Sequence, residues 1–444
     1  MARDLTEGKI FPQLIGFTIP VVLGNLFQLT YNAADSVIVG KYVGKEALAA
    51  VGICNPVMTV MILFLNGLCM GAGILMGTQY GAKDYDTLRR QISTSMLSGT
   101  VFSVGLTAVC VPLAGAILRL MQVDTSILPL TAEYLRIIFC GLCFTFLYNF
   151  LSSTLRALGD SRTPLYFLII SSVLNVIGDL IFVIFFSMGS RGCAIATVLS
   201  EGLCCLFCAL YIRLRVPLLR LGKAWFVFDR SLLGKTVSYG WVSAMQQATV
   251  QLGKIGVQSI VNTMGVPAAA AFTAVNRIDD FCYTPEQNIG HAMMAFMAQN
   301  RGAKKSERVR AGFRAGLILE LCFGFLVSVV VFFLALPLIR LFSEDAEVIS
   351  LGRDYLVCIA PMYIVPAISN GLQGYFRGMG DLKVTLISSI VNMGTRVIAA
   401  VVLVFGFRLG IRSLPFSYLI GWIAMLAVET PMLISNYKEH LKTM

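Results

Sequence analysis

Polar side chains recur on one face of the first long apolar stretch of the chain. Asn25, Gln28, Asn32 and Asp35 follow one another at steps of three, four and three residues. In a helix these positions share one face, about 15 Å long. A carboxylate inside an apolar helix costs roughly 3 kcal/mol or more, so such residues are usually functional. Asp35 is therefore the first candidate for ion binding.

Two later apolar stretches carry oxygen-bearing side chains at helical spacing. Asn175 and Asp179 are four residues apart, and Thr197 lies on the next stretch. Together with Asp35 they could form a nest of carboxylate, amide and hydroxyl oxygens. Such oxygens suit a hard cation, and two carboxylates in a low dielectric do not easily ionise together, which suits a proton carrier. The coupling ion is left open between H⁺ and Na⁺, with possible Na⁺ ligands at Asp35, Asn175, Asp179 and Thr197, and no other cofactor is implied.

A second set of polar positions indicates a wet cavity, because polar groups inside a membrane need water or partners. Gln247, Gln251 and Lys254 repeat the stripe at steps of four and three. The predicted substrate-cavity residues are Asn25, Gln28, Asn32, Asn55, Asn66, Gln247, Gln251, Lys254, Asn276, Arg277, Asp280, Gln287 and Arg396. The alternative is interhelical hydrogen bonding, worth about 1 kcal/mol per contact. The charges of the second half are interpreted first as structural pairs, such as Arg277 with Asp280, and second as contacts to a substrate or anion.

The composition sets the class of protein that holds these side chains. The chain is 57% hydrophobic and only 13% charged, far below the roughly 25% charged content of soluble domains. Apolar runs long enough to cross a bilayer of about 30 Å recur along its length. The sequence predicts an all-α polytopic membrane protein with twelve spans, at 11–39, 47–80, 92–121, 129–155, 163–188, 191–214, 231–262, 266–299, 310–342, 347–376, 383–407 and 409–437.

Lysine and arginine fall mainly on one side of these spans, which predicts the orientation. Both termini and the connection after the sixth span lie on the lysine- and arginine-rich side, and so are expected in the cytoplasm. The net charge of +11 is explained by this bias, so no nucleic-acid partner is implied. The expected partners are small amphiphilic molecules and the lipid bilayer, and nothing in the sequence demands more than a monomer.

The chain is a tandem duplication. A shift of 221 residues places Gly81-Ala82-Lys83 on Gly302-Ala303-Lys304 and holds over residues 44–160. A four-residue shortening of the second half is then expected, since Asn175 matches Asn392 after it. Two parallel six-helix bundles related by a pseudo-twofold axis along the membrane normal follow. The predicted domains are an N-terminal lobe (1–212), a cytoplasmic linker (213–230) and a C-terminal lobe (231–444).

No enzyme motif accompanies this arrangement. The chain has no P-loop, and its two histidines are too few for a histidine metal site. Pro20 within the first helix removes one backbone hydrogen bond and predicts a bend or hinge. Polar stripes with acids, on helices in two repeats, favour an ion-driven transporter over an enzyme or a membrane receptor without transport.

Several motifs resemble those of multidrug and toxic compound extrusion (MATE) transporters, specifically the bacterial and archaeal branch close to the DNA-damage-inducible F type. They are Pro20, Asp35-x-x-x-x-Gly40, Gln79-x-Gly81-Ala82-Lys83, Arg156-Ala-Leu-Gly159-Asp160, Asn175-x-x-x-Asp179, Thr197, Gln299-Asn300-x-Gly302-Ala303 and Arg377-Gly-Met-Gly380-Asp381. Each is weak alone, and together they cover nearly the whole chain.

The resemblance implies a secondary active multidrug efflux antiporter in the cytoplasmic membrane of a prokaryote. It implies two six-helix lobes that alternate between outward-facing and inward-facing states and export amphiphilic, often cationic compounds against inward H⁺ or Na⁺. It also places the cation site at Asp35, Asn175, Asp179 and Thr197. The alternative is a lipid-linked oligosaccharide flippase of the same superfamily, favoured if Lys254, Arg277 and Arg396 form a basic cavity.

Overall fold

The protein is all-helical in a computed structural model that describes residues 4–219 and 226–443. The side chains of residues 31–37, 45 and 437–443 lie outside that description. Thirteen α-helices account for most of the described chain, and no strand occurs in it. The all-helical membrane class expected from the composition is confirmed.

The first repeat contributes six helices. They are α1 (Ile10–Ile38), α2 (Lys45–Gly81), α3 (Tyr85–Leu120), α4 (Leu128–Ala157), α5 (Arg162–Asp179) and α6 (Gly189–Arg215). π-helical turns extend α1 to Val43 and α5 to Phe185, and such turns are frequent at functional sites. Helix α3 begins seven residues before the predicted span, because Asp84 caps it by accepting a hydrogen bond from the Thr87 amide. Hydrogen bonds from the Thr87 side chain and from its backbone amide also hold the pKa of Asp84 below its usual value.

The second repeat contributes the remaining helices. They are α7 (Arg230–Asn262), α8 (Val266–Gly302), α9 (Ser306–Arg340), α10 (Ala346–Ile359), α11 (Ile364–Met379), α12 (Leu382–Val401) and α13 (Ser413–Thr443). Helices α10 and α11 form one span that is bent by 52°. Pro361 and Pro366 lie at this break, where proline removes backbone donors.

Length and apolarity identify most of the membrane spans. Nine helices of the described chain pass both criteria, and the bent α10–α11 pair makes ten. Helices α7 and α8 have 33 and 37 residues, or about 50 and 55 Å, but they are too polar to pass. Their lower apolarity comes from side chains such as Lys254, Arg277 and Asp280. With these two helices, residues 4–219 and 226–443 contain the twelve spans that were predicted.

The backbone repeats the 221-residue period. Left-handed residues pair at that spacing: Gly44 with Gly265, Lys83 with Lys304, Gly159 with Gly380, Ser187 with Arg408, and Gly189 with Gly410. The last two pairs lie beyond the expected four-residue shortening. The expected four-residue shortening is therefore wrong for the backbone, which has the 221-residue spacing again at Ser187 and Gly189. The Asn175–Asn392 sequence match is displaced by about one helical turn, which keeps the same helix face.

The chain divides into two compact units. Unit 1 contains Met1–Asp4 and Ile19–Ala244, and unit 2 contains Leu5–Thr18 and Met245–Met444. Each unit has its own apolar core, and each includes six helical spans in whole or main part. Helix α1 begins in unit 2 and continues in unit 1, whereas α7 does the reverse. The predicted lobe boundaries at 213 and 231 stay a prediction.

Candidate functional site

The amide and hydroxyl of the predicted ion site meet in unit 1. Asn175 on α5 donates its Nδ2 hydrogen to Thr197 Oγ1 on α6 at 3.2 Å. Thr197 Oγ1 in turn donates to the Cys193 carbonyl at 3.0 Å, which fixes the hydroxyl as an acceptor toward Asn175. The two helices approach closely at Gly178, where a Cβ atom would lie 3.0 Å from Ala196 Cβ. The fold thus brings together two of the ion ligands that the sequence predicted.

Asp179 lies beside this pair. It is the last residue of α5, four positions after Asn175, and its side chain is 0% exposed. A π-helical turn, Leu180–Phe185, follows it directly. A fully buried carboxylate one helical turn from an amide–hydroxyl pair provides the oxygen chemistry that binds H⁺ or Na⁺.

Two predicted residues lie outside the described side chains. Asn32 and Asp35 belong to the backbone of α1, and nothing is described of their side-chain positions. The meeting of Asp35 with Asp179 therefore stays a prediction. Pro20 is buried within a continuous α1, two residues after the helix leaves unit 2. Its role as a hinge also stays a prediction.

The predicted cavity residues of unit 1 are accessible to different degrees. Asn25 and Asn66 are half-buried, whereas Gln28 and Asn55 are exposed. Exposed amides on apolar helices are unfavourable in lipid and favourable in water. Their positions are compatible with a wet cavity, and its lining stays a prediction.

The predicted cavity residues of unit 2 separate into two groups. Half-buried or exposed positions hold Gln247, Gln251, Lys254, Asn276, Arg277, Asp280 and Gln287. Arg277 and Asp280 form no close ion pair in the described part of the chain, and their mutual neutralisation stays a prediction. Arg396 is buried instead, with its Cζ 3.9 Å from the Tyr418 ring centroid and 5.4 Å from that of Trp422. Such stacking stabilises a guanidinium, and the Asp279 carboxylate also interacts with it electrostatically.

Unit 2 contains buried acids that the sequence analysis did not select as site residues. Glu429 on α13 accepts hydrogen bonds from Gln373 Nε2 at 2.7 Å and Ser388 Oγ at 2.9 Å. Asp279 on α8 accepts one from the Tyr363 hydroxyl. Glu320 on α9 is also 0% exposed. Glu320 and Glu429 each stand in a long apolar run, which is the signal that singled out Asp35.

Comparison with known proteins gives consistent relatives. The family described as MatE matches residues 20–181 and 243–402. The probable multidrug resistance protein YpnP of Bacillus subtilis is 30% identical over 395 residues, which is 88% of this chain and 87% of that protein. The probable multidrug resistance protein YoeA of the same organism is 28% identical over 99% of this chain and 96% of its own length.

Solved structures give the same fold. A crystal structure of MATE in the bent conformation has a TM-score of 0.92 and 23% identity, and covers 99% of this chain and 98% of that one. The straight conformation has a TM-score of 0.91 at 23% identity, with 98% of each chain covered. At this identity the likeness concerns the fold.

Proposed function

Because the chain belongs to the MATE family of multidrug efflux transporters, we propose that it is a secondary antiporter. It exports amphiphilic organic compounds, many of them cationic, in exchange for H⁺ or Na⁺ that moves inward. The relatives named as multidrug resistance proteins support this substrate class. The several motifs of the first repeat support its assignment to the branch close to the DNA-damage-inducible F type.

One observation carries the ion-coupling proposal. The Asp179 carboxylate is fully buried in a membrane-spanning helix, one turn from the hydrogen-bonded Asn175 and Thr197 side chains. A permanent charge there is costly. An ion that loads and leaves changes the charge of the buried site, so the two loading states favour different packings of the helices around it. Asp35 on α1 is the proposed second carboxylate.

The ion and the substrate act on the same conformational equilibrium in this proposal. An ion bound in unit 1 favours one direction of opening, and the substrate favours the other, as alternating access requires. Pro20 is the proposed hinge of α1, because its missing backbone hydrogen bond lowers the cost of bending. The exposed amides Gln28 and Asn55 are proposed to line the wet substrate path.

The flippase alternative has less support. A basic site for a pyrophosphate group needs several free cations close together. Arg396 is stacked on Tyr418 and Trp422 instead, and no described contact joins it to Lys254 or Arg277. The orientation, with both termini in the cytoplasm, is proposed on the lysine and arginine bias alone.

Substrate uptake into everted membrane vesicles, which corresponds to efflux from the cell, tests the coupling site. We expect Asp179→Asn and Asp35→Asn to abolish efflux driven by an inward ion gradient, because an amide keeps the shape of the carboxyl but cannot exchange an ion with it. Asp86→Asn is the matched control, since Asp86 is an exposed carboxylate in the first turn of α3. Retained gradient-driven efflux in both site variants, at wild-type expression, would disprove the assignment.

A further inference from the structure

Two carboxyl groups lie inside unit 2 at the contact between α8 and α9. Glu286 and Glu320 are both 0% exposed. Glu286 Oε1 lies 3.6 Å from the position of a Cβ atom on Gly324, and Glu320 Oε1 lies 3.8 Å from that of a Cβ atom on Gly290. Each glycine is four residues after the glutamate of its own helix. The two carboxyls therefore occupy successive turns of one interface, each beside a glycine that leaves room for it.

The surroundings of these carboxyls do not neutralise a charge. Glu286 Oε2 accepts a hydrogen bond from Asn370 Nδ2 at 3.5 Å. Glu286 Oε1 and both carboxyl oxygens of Glu320 have no hydrogen-bond partner among the described residues. The charged groups that act electrostatically on them are themselves acids, Glu286 on Glu320 and Asp279 on Glu286. Two ionised carboxylates in this position would be strongly unfavourable.

The equivalent positions of the first repeat carry no acidic side chains. At the 221-residue spacing, Glu286 corresponds to Leu65 and Glu320 to Gly99. In unit 1 the Phe146 ring lies where a side chain on Gly99 would project, and a Cβ atom there would approach it to 1.9 Å. Phe150 stacks on Phe146 with ring centroids 5.8 Å apart. Apolar side chains therefore fill this part of unit 1.

The second repeat has lost both rings. Ala367 stands at the position of Phe146, and Gly371 at that of Phe150. The Glu320 side chain uses the space, since its Cγ lies 3.6 Å from the position of a Cβ atom on Gly371. Asn370 corresponds to Asn149, which donates to the Thr145 carbonyl of its own helix rather than to an acid. Four neighbouring positions thus differ together, and the difference exchanges two rings for two carboxyls.

We propose that Glu286 and Glu320 form a proton-binding pair in the interior of unit 2, separate from the ion site at Asn175, Asp179 and Thr197. The pair holds at least one proton near neutral pH and gives it up to water at alkaline pH, when an O–H bond breaks and a carboxylate remains. The ligand is the proton itself. This inference does not depend on the proposed antiport.

Other titratable and polar groups surround the pair and set the electrostatic field at the two carboxyls. On α8 these are Asp279, Cys282 and Tyr283, each of which interacts electrostatically with Glu286. From α11 the facing groups are the Asn370 side-chain amide and its carbonyl, which lies 3.0 Å from the Cβ position of Gly290. From the bend between α10 and α11 it is the Tyr363 carbonyl, beside Gly324. The nearby acid, Asp279, makes loss of a proton harder.

Infrared spectroscopy of the purified full-length protein tests the pair directly, because protonated carboxyls and carboxylates absorb at different frequencies. At neutral pH we expect the difference spectrum between wild type and Glu320→Gln to contain the band of a protonated carboxyl. In the wild type that band should lose intensity when the pH is raised into the alkaline range. Glu307→Gln is the matched control, since Glu307 is exposed in the first turn of the same helix and should give only carboxylate bands.

Two results would overturn the proposal. One is a Glu320→Gln difference spectrum that shows only carboxylate bands, as the control does. The other is a protonated-carboxyl band that keeps its intensity at every pH tested, which would make the pair a fixed structural feature. Glu286→Gln provides the same comparison if Glu320→Gln does not fold. Neither measurement requires transport, so failure of the antiport proposal would leave the result interpretable.

Discussion

Buried acidic side chains occur in both units, and their hydrogen-bond donors distinguish them. In unit 1 the half-buried Glu201 accepts a hydrogen bond from Thr145 Oγ1 at 2.5 Å. In unit 2 Glu429 accepts two, from Gln373 and Ser388. Glu320 accepts none from the described residues. Because donors stabilise the ionised form, the acids that have few of them are the ones for which carrying a charge is most costly.

The Asn175–Thr197 contact gives a prediction at the residue scale. Thr197→Val keeps the shape of the side chain but removes the acceptor for Asn175, and we expect it to lower the free energy of unfolding by about 1 kcal/mol. It should also weaken the ion dependence of efflux. Thr197→Ser keeps the hydroxyl and is the matched control. Thermal unfolding and vesicle efflux measure the two effects, and equal behaviour of the Val and Ser variants would contradict the role given to the hydroxyl.

Arg396 gives a second prediction at this scale. Its guanidinium is buried against Tyr418 and Trp422, so Arg396→Gln should lower the free energy of unfolding by about 1–2 kcal/mol. Arg396→Lys should be intermediate, because an ammonium cannot stack as a plane. Chemical unfolding in detergent measures both. A stable Arg396→Gln variant that has lost substrate binding would show that Arg396 contacts substrate instead.

At the scale of elements, the segment before α1 is held by α8 and α9 within unit 2. Leu5 N donates to Gln299 Oε1 at 3.0 Å. The Arg308 guanidinium donates to the carbonyls of Leu5 at 3.0 Å and Gly8 at 2.7 Å, and to Gln13 Oε1 at 3.1 Å. These bonds tie the beginning of α1 to unit 2, although most of that helix belongs to unit 1.

The segment before α7 has an equivalent attachment to α3 within unit 1. Ser93 Oγ donates to the Val227 carbonyl at 2.7 Å, and Asp229 N donates to Thr94 Oγ1 at 2.9 Å. Val227 is the 221-residue counterpart of Thr6, whose carbonyl accepts from Lys305 Nζ at 2.8 Å. Both repeats therefore begin their first helix on the helices of the opposite repeat.

Removing the Arg308 side chain tests this attachment. Arg308→Ala should raise hydrogen exchange of the Leu5–Gln13 backbone by roughly 30-fold, since charged hydrogen bonds contribute about 2 kcal/mol. Arg314→Ala is the control, because Arg314 is exposed on the same helix. Exchange that is unchanged in Arg308→Ala and equal to the control would show that apolar contacts alone, such as buried Leu14 and Phe17, hold the segment.

Several elements could be predicted from the sequence because their signals are local. Apolar length indicates the long helices, and the period of polar residues indicates their inward faces. The bend between α10 and α11 was missed, although Pro361 and Pro366 mark it. The contact of Asn175 with Thr197 agrees with the predicted ion site, because both lie on faces that two consecutive helices turn toward each other. The aromatic stack of Arg396 depends on tertiary packing, which no spacing along one helix reveals.

At the scale of the whole molecule, one duplicated backbone carries two different interiors. The left-handed positions repeat at 221 residues, so the turns between helices have been kept. The interior side chains have not been kept, since Leu65 and Phe146 in one half correspond to Glu286 and Ala367 in the other. Backbone geometry is set by turns and apolar length, which tolerate such exchanges, while function depends on a few interior side chains.

The central claim is that this membrane protein couples export of an organic compound to inward movement of H⁺ or Na⁺. The most direct measurement is substrate flux in proteoliposomes that contain the purified protein, with the pH gradient and the Na⁺ gradient varied independently. We expect uphill substrate transport when one of these gradients is imposed and none when both are absent, and substrate moving downhill should drive the same ion in the opposite direction. Substrate flux that is indifferent to both gradients would contradict the account.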